Sequence, residues 1–243
     1  MSGWQARVGC GVLFVAVGGI WLGLAGGAAQ RDGGAAARTP APETLLPEGS
    51  VLYLGWDGQE AHQEAWEQTA AYEALYKSGL IPTLSRAAQS LIHQAGERAG
   101  GGGGEAKLLI ELYEHLTSHG LSLGVALVGD AGPPQPVGVL VVHKAAKHEP
   151  ALSAFLKKNA GDELELHEQT VRGRKVTSAP LPGAPGFEFG WWTEGEHLVV
   201  AAGVSAVNVA IDTAAGQNGR GNITKHRLWP KYRGGKAGFD VTT

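Results

Sequence analysis

At Gly120 the hydrophobic period of the chain changes, and that change limits the fold more than any other feature. Upstream, Leu84, Ala87, Ala88, Leu91, Ile92 and Ala95 recur at helical spacing, and Leu108, Leu109, Leu112 and Leu116 repeat it. Downstream, Leu121, Leu123, Val125 and Leu127 alternate with smaller residues, and 137–142 is a second apolar run. Gly129-Asp130-Ala131-Gly132-Pro133-Pro134 between them is turn material, so the two runs predict an antiparallel hairpin. Two more hairpins follow, 163–170 with 174–178 about Arg172-Gly173, and 187–193 with 197–202 about Glu194-Gly195. Strands joined by tight turns, with helices inserted as blocks, predict an α+β fold: a mainly antiparallel sheet with helices packed on one face.

The remaining elements fit that plan. Residues 51–56 read as a strand ended by Asp57-Gly58. Three helices are expected next: 61–78, closed by Gly79; a second opening on Pro82; and a third over 105–119, closed by Gly120. Gly100–Gly104 is a hinge between the last two. A helix over 150–160 turns Leu152, Phe155 and Leu156 inward, and another starts at Ser205, whose hydroxyl is expected to cap it.

The first thirty residues hold one charged side chain, Arg7, then an uncharged run over 8–29 ending in Ala25-Gly26-Gly27-Ala28-Ala29. That order reads as a signal peptide cut near Ala28 or Ala29, or as a retained signal anchor, and places the protein in the periplasm or on the outer face of the cytoplasmic membrane. Cys10, the only cysteine, lies in this leader, so a processed chain carries no thiol. Residues 30–48, with Pro40, Pro42 and Pro47, read as a flexible tether; 49–216 as the α+β domain; 217–243 as a basic connector. The closing Gly238-Phe239-Asp240-Val241-Thr242-Thr243 resembles the start of a second, truncated module.

Hydrophobic residues make up 43%, enough for a packed core. A net charge of −3 and a pI near 6.3 exclude a global attraction to nucleic acid. His115 and His119, four apart on a helix, have the spacing of a metal pair but lack a third ligand in sequence. Gly203-Val204-Ser205 lacks the closing glycine of a nucleophile elbow, and neither Gly100–Gly104 nor Gly235-Lys236 completes a phosphate loop. The acidic residues Asp162, Glu163, Glu165 and Glu168 read as a solvated strand face. Binding residues are sought instead in Trp191-Trp192, whose rings must point to opposite faces of a strand. A second set is the basic, aromatic stretch holding Arg227, Trp229, Lys231, Tyr232 and Arg233.

Leu46-Pro47-Glu48-Gly49-Ser50-Val51-Leu52-Tyr53 resembles the opening of a family of exported bacterial proteins of unknown function, in which an LP-x-x-(S/T)-V-L-Y strand follows a signal and a Pro/Ala tether. The Gly190-Trp191-Trp192 strand, Leu198-Val199-Val200 and the helix at Ser205 are similar to it too. The resemblance implies repeated α+β modules in a longer parent and carries no catalytic residue. The expected function is a non-enzymatic binding or scaffolding module without a cofactor, its partner an envelope component, touching the membrane through an uncut leader. The alternative is an exported hydrolase whose site the fold assembles from His115, His119, His143, His148, Glu163 and Glu165.

Overall fold

The computed structural model describes residues 39–98, 103–129, 133–159, 165–181 and 184–233. The leader, residues 30–38 of the tether, Gly100 to Gly102, Asp162, Glu163, Gly235-Lys236 and the closing hexapeptide lie outside them. Seven strands, β1 (Ser50–Trp56), β2 (Leu121–Val128), β3 (Gln135–Val142), β4 (His167–Val171), β5 (Arg174–Pro180), β6 (Phe187–Glu194) and β7 (His197–Val204), form one sheet ordered β1-β2-β3-β7-β6-β5-β4. Every pairing is antiparallel, as the alternation and tight turns required.

Among the described residues the α-helices are seven: α1 (Gln63–Glu67), α2 (Ala70–Tyr72), α3 (Leu80–Arg98), α4 (Gly103–His119), α5 (Glu149–Asn159), α6 (Ala206–Ala215) and α7 (Trp229–Arg233). The helix expected over 61–78 is broken in two and continued by a π-helical turn, Glu73–Lys77. Thr69 causes the break: its backbone is extended, and its hydroxyl accepts from Tyr72 N at 3.1 Å, which restarts the helix.

The helices cover both faces of the sheet. Val137, Val139 and Val141 of β3, Val199 and Ala201 of β7 and Trp192 of β6 face α6 and the 3-10 turn Pro42–Leu45. Val142, Leu140, Leu198, Val200 and Trp191 face Leu116 of α4 and Leu152 and Leu156 of α5. Covering on one face alone was expected; apolar side chains on both sides of β3 and β7 demand cover on both.

The boundaries drawn at 48 and 216 fall inside the fold. Leu45 and Leu46, assigned to the tether, are buried in the α6-side core, as is Ile223 from the basic connector. Glu48 N donates to Gly221 O and Ile223 N to Leu46 O, so the two segments clamp each other.

Ser205 does not cap α6. It lies in the left-handed region at φ 53°, and its hydroxyl makes no cap bond. The carboxylate of Glu188 on β6 takes that role, accepting from Val207 N at 3.2 Å. Replacing Glu188 by alanine should therefore cost about 1 kcal/mol in urea unfolding. An unchanged unfolding midpoint would remove Glu188 from that role.

Candidate functional site

Five of the nine histidines meet where α4, the end of β3, the turn before α5 and the start of β7 converge. The rings of His115 and His119 are 4.4 Å apart, His115 and His148 4.6 Å, and His143 and His197 5.9 Å. Four of their ten nitrogens bond to the backbone. His115 Nε2 donates to His143 O at 2.7 Å, and His143 Nδ1 donates to His119 O at 3.1 Å. His197 Nδ1 accepts from Lys144 N at 3.1 Å, while its Nε2 donates to Pro40 O at 3.0 Å. His119 Nδ1 lies 3.0 Å from Glu60 Oε2, and His148 Nε2 is buried without a hydrogen-bond partner among the described residues. Burial, the largest influence on each, lowers the pKa values of His115, His148 and His197.

The chemistry open to this cluster is narrow. Among the described residues no group of three His, Cys, Asp or Glu side chains converges as a metal site requires, and His115 spends Nε2 on a carbonyl. Ser122 Oγ stands 3.0 Å from His143 Nε2, the separation of a nucleophile and its base. Ser122 is wholly buried, however, and the pair ties β2 to the end of β3.

Trp191 and Trp192 point to opposite faces, as strand geometry requires, and both are buried in the core. Neither offers a ring to a ligand, which corrects their assignment as binding residues. Trp191 Nε1 donates to Ser153 Oγ at 2.8 Å and so fastens α5 to the sheet. In the basic stretch, Trp229 packs edge-on against Tyr53 with centroids 5.2 Å apart, while Arg227 and Lys231 are exposed. The side chains of Tyr232 and Arg233 are not among those described.

Glu168 lies between Lys157 at 2.6 Å and Lys175 at 3.1 Å, and hydrogen bonds from both lysines hold its carboxyl below the usual range. It belongs to an exposed ion-pair cluster. A shallow cavity of about 380 Å³ lies elsewhere, over β4, β5 and the start of β6, lined by His167, Gln169, Ser178, Phe187 and Glu188 among others.

Among the described residues α3 leaves an apolar surface exposed. Leu80, Leu84 and Leu91 of α3 are 47%, 55% and 66% exposed, with Tyr76 39% exposed just before them. At 100° per residue, Leu80, Leu84, Ala87 and Leu91 share a stripe about 60° wide. The stripe lies to one side of the α4 contact, where Gln89 Nε2 donates to Glu114 Oε1 at 3.0 Å.

The chain matches no family model, no curated protein and no solved structure. Function is therefore argued from the side chains. Sequence reasoning missed Ser122 and His197, because their partners come from distant segments. It did find Leu84 and Leu91 of α3 by their helical spacing, without saying which face they would meet. No helix among the described residues is long and apolar enough to cross a membrane.

Proposed function

We propose that this chain is an exported, non-catalytic binding or scaffolding module and that α3 is the surface it offers to a protein partner in the cell envelope. The exposed leucine stripe carries this reading. An apolar side chain kept in water forgoes roughly 1.5–3 kcal/mol that burial would return, so a row of them on one helix is a docking surface. The groups that resemble catalytic sets support it too, since Ser122 and His143 are tied into buried structure. Export rests on the leader and on the resemblance of residues 46–53 to exported proteins.

The test is a photo-crosslinking residue at position 84 or 91 of the full chain, irradiated in intact cells. A discrete adduct that Leu80→Glu abolishes is expected. Equal labelling from a probe at the exposed Gln169 would sink the assignment.

A second reading follows from the cavity that brings His167 and Glu188 together with Ser178, an imidazole and a carboxylate assembled by the fold. Ester or glycoside hydrolysis abolished by His167→Gln, with the fold intact, would favour the hydrolase over the scaffold.

A further inference from the structure

We infer that His197 is a proton-operated clasp that holds residues 39–43 against the β6–β7 turn and releases them as the surroundings acidify. Two backbone groups fix the state of its ring. Lys144 N–H points at Nδ1, so that nitrogen must present a lone pair; the proton sits on Nε2 and is donated to Pro40 O. A second proton on Nδ1 would set two donors head to head around a side chain that is 4% exposed. Lys144 has little freedom to turn away, since it is already in the left-handed region at φ 52°.

The clasped segment is short and its range of opening is bounded. Thr39 and Pro40 lie directly on the turn: a Cβ added at Gly195 would come within 3.1 Å of Thr39 Cγ2 and 3.2 Å of Pro40 Cδ. A few residues on, Leu45 and Leu46 are locked in the core. Opening therefore frees the entry of the chain into the domain and stops there. Whatever α3 binds, this device sets whether residues 39–43 lie on the β6–β7 turn.

The groups facing the ring come from three elements. Glu196 on its own hairpin and Glu43 from the clasped segment favour a charged imidazole. Lys144 disfavours it, and the His143 ring stands 5.9 Å away. Burial outweighs them all and holds the pKa below its ordinary value. The native state thus binds fewer protons than the opened one. The clasp's contribution is complete above a pH of about 6.5 and is lost as pH falls through the lower, folded value.

Hydrogen–deuterium exchange on the full chain tests this, comparing peptide 39–46 with the core peptide 137–142 at a pH of about 7.5 and about 5, corrected for intrinsic rates. Protection of the Thr44 amide, which donates to Ala41 O, is expected to fall about tenfold or more at the lower pH within 39–46 while 137–142 holds. Equal loss in both peptides, or none in 39–46, overturns the clasp. In His197→Gln, which does not titrate, 39–46 should respond at most about twofold to pH, and an undiminished acid response overturns the proposal. Should that variant fail to fold, the wild-type ring decides by nitrogen NMR. The proton on Nε2, with titration below the ordinary range, is expected; a proton on Nδ1 at neutral pH overturns it.

Discussion

Trp192→Ala should lower the unfolding free energy by about 3–5 kcal/mol. The indole is 2% exposed and occupies the α6-side core with Val176, Val199, Val207 and Ile211. Its cross-strand partner is Val199, so the ring spans the β6–β7 pair at the centre of the sheet. Truncation leaves a cavity that the flanking strands cannot fill, because their ladders hold them at fixed spacing. A domain of this size has about 5–15 kcal/mol in total, so the variant sits near the edge of folding at physiological temperature. Denaturant unfolding measures it, with Trp192→Phe as the companion that keeps most of the volume and should lose markedly less. A loss within about 0.5 kcal/mol for the alanine variant would mean that the ring is not part of a packed core.

Gly120→Ala is expected to be of comparable severity, for a different reason. Gly120 joins α4 to β2 at φ +82°, and an added Cβ would overlap Trp56 O and lie 2.6 Å from Gly58 N. Both obstacles are backbone, so no side-chain rotation relieves them. Left-handed strain of about 1–2 kcal/mol adds to an overpacking cost of about 1–3 kcal/mol. Gly79→Ala separates the two contributions: its φ is +79°, yet nothing lies within 4 Å of the added methyl. It should show the conformational part alone. Equal losses at both positions in parallel thermal unfolding would show that the β1–β2 edge yields to the methyl.

Much of the sheet was legible because hairpins are local. The turns at Arg172-Gly173 and Glu194-Gly195 carry positive φ at Gly173 and Gly195, which their residue types announce, and at Arg172, which its type does not; the flanking alternation fixes the register. The helical block before Gly120 was equally plain, although Thr69 divided a helix that periodicity alone would have continued. Less legible was the cover of the sheet. The run over 137–142 is apolar on both sides of the strand, which in itself calls for two covered faces, but nothing local says which helix lies on which face.

The candidate sites were harder to read for the same reason. His115 and His119 stood out by spacing, yet the geometry that matters links His115 to His143 and His197 to both Lys144 and Pro40, contacts of 28, 53 and 157 residues' separation. Of Trp191 and Trp192, strand alternation allowed one ring outside the core; packing buried both.

From its own order of residues the chain determined where strands and turns fall, since backbone dihedrals and alternation depend on near neighbours. The tertiary structure alone decided which side chains met water. Burial is set by what packs above each face, and that cover comes from segments far away along the chain. The leucines of α3 thus stayed exposed, the tryptophans went inside, and a buried histidine came to hold the residues where the chain enters the sheet.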